Sequence, residues 1–492
     1  MGPAPRVDSR VINPIMKLKY AIVLVTRALA KEDSGRPLTF GLSPMAEREK
    51  ALGPTVDQVV ASVEMPRSTD VVVIGGGIIG TSTALFLARR GFHTVLCEKG
   101  HIAAEQSSRN WGWVRAAGRD IRELPLMAEA TKVWRNLHQI TGCDVGYRTN
   151  GVIYMASNEE ELARREAWTR TVGDLAGEAR LIGQKALREL LPGAPELYLG
   201  ALYAPNEGYA EPQKVTPAIA RAAQQGGATI LERCAVRGIE TSAGRVSAVV
   251  TENGPIACRA AVLSAGAWSG LFCRSLGLRL PQLQVRASVM RTKPLRAGLD
   301  SAVLGSGFAF RKRMDGGYTI ANGTDSRHDI VPDSFRYAWD FLPLLRMEWR
   351  SVEVRIGMEF FTALLAPAKW SMNDASPFEK SRVLDVAPVE HHLSSALARL
   401  VKEFPQFKDA EILESWGGVI DAMPDTVPVI SETDIPGFII ATGFSGHGFG
   451  IGPGAGELIA RMAVGDAPIV DPRPFRLSRY SDGSDPRPTT GP

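Results

Sequence analysis

A mixed α/β fold built on two sheets is predicted by three features of the sequence. TDVVVIGGGIIGTSTALFLARRGFHTVLCEKG (69–100) sets a short apolar run before three glycines, then a helix-forming run, then a second apolar run. GFIIATGFSGHGFGIGPGAGELIARMAVG (437–465) has the same order of strand, glycine-rich turn and helix near the other end of the chain. Between them lie alternating, β-branched runs, GVIYMAS (151–157), ASVMRTKP (287–294) and GFAFRKRMDGGYTIANG (307–323), which predict a second, antiparallel sheet.

Taken in order, residues 1–69 carry scattered Pro, Gly and charge with no clear period and read as an extension, partly helical around 45–63. Lys17 and Lys19 precede YAIVLV (20–25), but Thr26 and Arg27 end that apolar run far short of the ~20 residues a membrane span needs. A soluble, cytoplasmic protein is expected, with peripheral contact with the inner membrane left open. VVVI is a continuous apolar strand, as expected of one buried on both faces. Gly75, Gly76 and Gly77 make a tight turn, Ile78 to Arg90 form a helix, and Gly91 closes it. HTVLCE supplies the second strand of a βαβ unit. KVTPAIARAAQQGG (214–227) reads as a helix, followed by the strand-like runs ATILERCAVRGIET, RVSAVVTENG and ACRAAVLSAG. Asp315-Gly316-Gly317 marks a hairpin turn. The aromatic and Leu-rich stretch 337–370 is predicted helical, and could be core, a substrate lid or a membrane-resting surface. The expected division is a discontinuous nucleotide-binding domain (70–120, 212–275 and 415–480), a second domain (121–211 and 276–414, with 337–370 added to it) and a tail at 481–492.

Composition narrows the function. A 492-residue chain implies two or three domains, and 45% hydrophobic with 22% charged residues is ordinary globular material. A net charge of +4 is small for this length and gives no reason to expect nucleic acid as a partner. Five cysteines without a CxxC pair suggest buried free thiols rather than a disulfide framework or zinc site. His391 and His392 are adjacent, the wrong spacing for ligation from one helix face, and no HExxH exists, so no metal is expected.

The chemistry lies in the glycines. Gly75, Gly77 and Gly80 form G-x-G-x-x-G, with Ile78 and Ile79 opening the helix. The first glycine permits the turn, the second lets backbone approach a pyrophosphate, and the third lets the helix pack against the strand. Glu98, at the end of the second strand, can accept ribose hydroxyls and would repel a 2′-phosphate, which argues against NADP. This fingerprint does not separate FAD from NAD. GFSGHGFGIGPG (443–454) does: a second glycine-rich loop at a second helix N-terminus can stabilise the negative charge of a reduced flavin. VLSAGAWS (262–269), with Ala265 and Gly266, is a third small-residue turn at the sheet edge.

Together VVVIGGGIIG, YRTNGVIYM, EGYAEPQKV, VLSAGAWS and ATGFSGHGFGIGPGAGE resemble the D-amino-acid-oxidase-like flavoproteins in order and spacing. AAEQSSR (103–109), SPFEKSRV (376–383), EFPQF (403–407) and VPVISETDIPGFIIATG (427–443) look most like the bacterial membrane-associated L-amino acid deaminase branch. The resemblance implies a Rossmann-like FAD-binding domain of the glutathione-reductase type and a substrate domain on an antiparallel sheet. It implies dehydrogenation of a CH–NH bond by hydride transfer to flavin N5, giving an imine that water hydrolyses. Carried over by residue, Glu98 and Lys99 match the adenosine contacts. Gln106, Ser107 and Ser108 match the loop along the pyrophosphate and flavin, and Val236 matches the strand residue that meets adenine. Gly446, His447, Gly448, Phe449 and Gly450 match the loop at the pyrimidine edge. Asn110 and Trp416-Gly417-Gly418 stand where some relatives attach the flavin, so FAD is expected to be non-covalent.

The substrate side departs from these relatives. Ile420 stands where the small-amino-acid oxidases place a carboxylate-binding Arg, and YTIANGT has no Arg near Gly323, where the deaminases place theirs. Trp113 replaces a Gln, and Phe444 or Ser445 a Trp. In EQSSRNWGW (105–113), EQSSR is therefore assigned to the cofactor, and Trp111 and Trp113 to the substrate or the wall behind it. Arg311 is the first candidate to hold a carboxylate and Arg115 the second; an aromatic cage for an amine is the alternative. The expected substrate is an amino acid, with a secondary amine or N-substituted amino acid as the alternative, and a non-catalytic FAD-binding protein as a further one. The electron acceptor is O2 or a respiratory-chain component.

Overall fold

The computed structural model describes residues 53–488 except 324, 350 and 368. A six-stranded sheet runs in the order Val429–Glu432, Phe438–Thr442, Ala260–Leu263, Val71–Ile74, Thr94–Cys97, Thr229–Leu231, parallel but for the antiparallel edge strand Val429–Glu432. Its central strand is apolar at every position because both faces are covered. Val71 and Val73 join a cluster with the helices Ile78–Arg89, Pro212–Gln225 and Gly448–Val464. Val72 and Ile74 face the antiparallel sheet Val236–Ser242, Arg245–Thr251, Gly254–Ala257. The helices Ile78–Arg89 and Gly448–Val464 meet through small residues: a Cβ on Gly456 would lie 2.3 Å from the Ser82 Cβ.

The second large sheet is mixed rather than antiparallel throughout. Ala302–Gly305 runs parallel to Val152–Ala156, and Ser326–Asp329 parallel to Val352–Arg355. The hairpin Phe308–Lys312/Tyr318–Ala321 turns at Gly316, whose φ is +84°. Phe308, Phe310, Phe404 and Phe407 fill the space between this sheet and helix Glu390–Glu403. Leu283–Thr292 and Ile412–Ala422, the two longest strands, pair antiparallel and carry the sheet up to the nucleotide-binding half.

Three expectations change. Residues 53–63 are not helical; they run along the helix Pro212–Gln225, with Asp57 N–H donating to the Gln213 carbonyl (3.1 Å) and Ser62 N–H to that of Ile230 (2.7 Å). YAIVLV and residues 45–52 lie outside the described residues. The 337–370 stretch is helix Ala338–Glu348, strand Val352–Arg355 and helix Met358–Leu365, not helix alone. It is not core either: Trp339, Met358, Phe361, Leu364 and Leu365 are all exposed. No helix among the described residues is long and apolar enough to cross a membrane.

The chain end is tied in by charge. Asp425 is fully buried and accepts from Arg122 Nη1 (2.9 Å) and from Arg479 Nε and Nη2 (3.1 Å each). Removing one partner of a buried pair leaves the other uncompensated. Asp425→Asn is expected to lower the unfolding free energy by about 3–5 kcal/mol in urea titration at neutral pH.

Candidate active site

A cavity of about 410 Å³ opens at the carboxyl ends of Val71–Ile74 and Ala260–Leu263 and continues to the second sheet. Its first wall is the glycine turn. Gly75 has φ +110° and passes the Ser264 carbonyl so closely that a Cβ would sit 2.5 Å from its oxygen. Gly80 does not line the cavity; a Cβ there would lie 2.0 Å from the Gly75 carbonyl oxygen, so the residue brings helix and turn together. Gly77, Ile78 and Ile79 line the wall, and the Ile78 N–H donates to Ser107 Oγ (2.8 Å). Glu98 accepts from the N–H groups of Gly76 and Gly100 (2.7 Å each). Burial raises its carboxyl pKa, with the neighbouring Lys99 charge and those two bonds opposing the rise. Each oxygen keeps a lone pair for a hydroxyl. Val236, Ala265 and Gly266 complete this end. Lys99 lines it too, but its ammonium donates to Glu105 Oε1 (2.8 Å) and to the carbonyls of Arg382 (2.8 Å) and Ser381 (3.1 Å). It is a clasp, not a free contact.

EQSSRNWGW is a strap between the two halves. Glu105 joins Lys99 to Trp268 Nε1 (3.0 Å) and the Leu384 N–H (2.9 Å). Gln106 lines the cavity, with Nε2 oriented to Asp421 Oδ1 (2.9 Å) and Oε1 to the Ala267 N–H (3.3 Å). Ser108 does not line the cavity: it is fully buried, with Oγ donating to the Glu105 carbonyl (3.2 Å). Arg109 is buried and reaches Asp385 (2.8 Å) and the Gly417 carbonyl (3.0 Å). Asn110 donates to the carbonyls of Gln106 and Ser107 and accepts from the Gly112 N–H, which fixes where the tryptophans emerge. Trp111 and Trp113 both line the cavity, edge to face, with centroids 5.4 Å apart.

The opposite wall is the second glycine loop. Phe444, Gly446, His447, Gly448, Phe449 and Gly450 all line the cavity. The helix Gly448–Val464 has no capping side chain, so its first-turn N–H groups are available to a ligand. His447 Nδ1 lies 3.4 Å from Glu123 Oε2, and burial lowers the imidazole pKa. The sequence reading missed Asp421, which stands next to Ile420 on the same wall. It accepts from the Gly443 N–H (2.7 Å) and Thr442 Oγ1 (3.1 Å), and burial pushes its carboxyl up to about 6. A lone acid three residues past a glycine pair carries no signal of its own in the sequence.

Arg311 is not a wall residue, contrary to the expectation from its strand position. It does not line the cavity and is 1% exposed. Its guanidinium makes a two-pronged pair with Glu211 (2.9 and 3.1 Å) and donates from Nε to the Trp111 carbonyl (2.6 Å). It braces the tryptophan turn from behind, where a Cβ on Gly112 (φ +83°) would lie 2.8 Å from its Nε. Arg115 does line the cavity, as do Tyr154, Leu304 and Gly323. Its Nη1 donates to the Ala117 carbonyl (2.6 Å), and its guanidinium carbon stands 5.8 Å from the Tyr154 ring centre. Tyr154 was legible only as part of the strand run GVIYMAS.

Glu207 holds the backbone that carries Arg115, accepting from the N–H groups of Ala116 (2.7 Å) and Ala117 (2.8 Å) while Oε2 has no partner. Burial pushes its carboxyl up to about 7 against those bonds and the nearby arginines. A raised carboxyl contributes stability below its unfolded pKa and loses it as pH climbs through 7. Glu207→Gln is therefore expected to be more stable to urea than the parent above pH 7, by about 3–4 kcal/mol at most, with the gap closing towards pH 4.

Elsewhere, His391 and His392 converge despite their adjacency: their Nε2 atoms lie 3.3 and 3.2 Å from Glu353 Oε2, which Arg327 also engages.

Two helix N-termini, a hydroxyl-accepting acid and a slot between glycine walls fit a dinucleotide with a redox ring at its far end. Comparison with known proteins agrees. The L-amino acid deaminase of Proteus myxofaciens, solved with anthranilate, is 35% identical, superposes with a TM-score of 0.84, and matches over 87% of this chain and 97% of that one. The L-amino acid deaminase of Proteus vulgaris is 33% identical, with a TM-score of 0.81, over 86% and 99%. Sarcosine oxidase subunit beta of Rhodobacter capsulatus is 24% identical over 86% of this chain and 91% of its own length, whereas the chain spans 44% of mouse mitochondrial sarcosine dehydrogenase. The model of the DAO family, FAD dependent oxidoreductase, matches residues 70–462. The chain belongs to this family of FAD-dependent oxidoreductases, and its cofactor is FAD.

Proposed function

We propose that this enzyme dehydrogenates the CH–NH bond of an amino acid, giving an imine that water converts to a 2-oxo acid and ammonia. The observation that carries the reading is Arg115: a guanidinium that lines the cavity, on the segment packed against the second glycine loop, with one hydrogen bond among the described residues. A guanidinium has five N–H donors, so most of its capacity is left for a carboxylate. FAD supplies the two-electron acceptor. The protein's part is placement. Glu98 and the two helix N-termini would hold the dinucleotide, and Arg115 would anchor the substrate carboxylate. Trp111, Trp113, Tyr154 and Phe444 form an apolar surround that keeps water out and favours the neutral amine, whose lone pair is needed for loss of the C–H hydride. No side chain is required as a nucleophile.

The test is anaerobic bleaching of the flavin band by a panel of L-, D- and N-methyl amino acids and polyamines. Bleaching by α-amino acids is expected; a flavin that no amine reduces overturns the reading, and a response to N-methyl substrates or polyamines alone moves it to secondary amines. In the same assay Arg115→Ala should stay yellow and lose about 10- to 100-fold in kcat/KM for carboxylate-bearing substrates, chiefly through KM. Arg115→Lys should recover part of that loss, since it keeps the charge without the fork. Following the reaction under air, then with a quinone under argon, distinguishes O2 from a respiratory-chain acceptor.

We also propose peripheral membrane contact through the 338–365 face. The exposed Phe361, Leu364 and Leu365 on one short helix, beside Trp339, are what support it. Flotation with phosphatidylglycerol-containing vesicles is expected to carry the protein, and replacing Phe361, Leu364 and Leu365 by Ser to release it.

A further inference from the structure

We infer that the substrate carries a second, non-reacting cation, held by Asp325, so that the preferred amino acids are those with a basic side chain. The inference rests on the amino-acid reading above.

It follows from the partners of the charges on the cavity wall. Glu98 is bonded to two backbone N–H groups, and Asp421 to Gly443 and Thr442. Glu105 is paired with Lys99, Arg109 with Asp385, and Arg119 with Glu123 (3.2 Å) and the His447 carbonyl (2.8 Å). Two charges remain on the substrate side. One is Arg115. The other is Asp325, which lines the cavity between Gly323 and Ser326 and whose carboxylate has no hydrogen bond or ion pair among the described residues. The neighbouring basic groups are already engaged: His392, which feels the Asp325 charge, with Glu353 (3.2 Å), Arg327 with the same Glu353 (3.1 Å), and Arg286 with Asp329 (2.8 Å). An uncompensated carboxylate facing an aromatic-walled cavity is costly unless a cation meets it there.

The turn that presents Asp325 is pinned. Its N–H donates to Asn322 Oδ1 (3.1 Å), and Asn322 Nδ2 donates to the His392 carbonyl (3.2 Å). Arg115 and Asp325 also stand at different places on the cavity floor. Arg115 lies over Tyr154; the register runs Tyr154, Leu304, Ala309, Ala321, and Asp325 follows four residues later. Three strand steps, about 14 Å, separate Tyr154 from Ala321, so the two charges are carried by different strands of the floor. That separation also decides which cation Asp325 holds. A carboxylate beside the reacting amine would keep it protonated and deny it the lone pair the reaction needs. A distal ammonium or guanidinium loses nothing by being held charged.

The experiment uses the holoenzyme and compares kcat/KM for lysine, ornithine and arginine with that for leucine, norleucine and phenylalanine, in the enantiomer the bleaching panel selects. The cationic substrates are expected to lead by about 10-fold or more. In Asp325→Asn that ratio should fall about 10- to 100-fold, while Asp325→Glu keeps most of it. The flavin absorbance of each variant reports an intact fold. Neutral amino acids equal to or better than basic ones, or a ratio unchanged in yellow Asp325→Asn, overturn the inference and leave the amino-acid reading standing. A flavin that no amino acid reduces overturns both.

Discussion

The site depends on one close backbone approach. Gly75 passes the Ser264 carbonyl at the head of two neighbouring parallel strands, and Gly80 lets the first turn of its helix lie against Gly75 itself. Any side chain at either place would force helix and strand apart. With the gap closed, the helix N-terminus points along the sheet into the cavity, and Ser107 and Glu98 fall within hydrogen-bond reach of the glycine backbone. The helix Gly448–Val464 then packs on the same helix through Gly452 and Gly456, which turns its own N-terminus towards the far end of the cavity. Two positive helix ends face one cavity because small residues allow three backbones to share a narrow space.

Buried arginines hold the second half of the site to this frame. Arg109 ties the strap at 105–113 to the Gly417 carbonyl, and Trp416 Nε1 returns a hydrogen bond to the Arg109 carbonyl (3.1 Å). Arg119 links Glu123 and the His447 carbonyl to the backbone at Arg115. Arg311 presses on the tryptophan turn while paired with Glu211, whose carboxyl it holds down at about 2 against the upward push of burial. Pairs of this kind contribute little net stability compared with apolar packing, because each ion is desolvated. What they do is fix direction: each guanidinium bonds backbone carbonyls from segments distant in the chain. The cavity's shape is thereby set in part by charge-assisted bonds, two of whose arginines, Arg109 and Arg119, also line it while Arg311 acts from behind.

Three proposed site residues, Gly80, Ser108 and Arg311, do not line the cavity; Gly80 packs helix on turn, and the other two are enclosed behind the wall. Arg311 was selected because it lies on a hairpin strand beside the expected substrate, and strand position says only that a side chain points to one of two faces. Burial sends it behind the Trp111 turn. Ser108 shares a small polar run with Ser107, yet within one helical turn the first hydroxyl meets the Ile78 N–H and the second is enclosed with the Glu105 carbonyl. Lys99 is present where expected, but Glu105 and two carbonyls from 381–382 take its donors. The stretch 337–370 misled for a different reason. Its apolar content is that of a buried helix pair, and its exposure is known only from what does not cover it.

The sequence by itself determined the dinucleotide wall. Glycines at 75, 77 and 80, an acid at 98 and a second glycine loop at 443–454 act through backbone geometry and helix ends, which are local and survive in a one-dimensional pattern. It also singled out the tryptophans at 111 and 113, both of which line the cavity. Only the tertiary structure decided which charges are free. Arg115, Arg119, Arg311, Asp325 and Asp421 are equal in the sequence. They differ because what engages each charge is fixed by the fold, four residues along the chain for Arg119 and Glu123 and a hundred for Arg311 and Glu211, and a charge is available to a ligand only when no such partner has reached it.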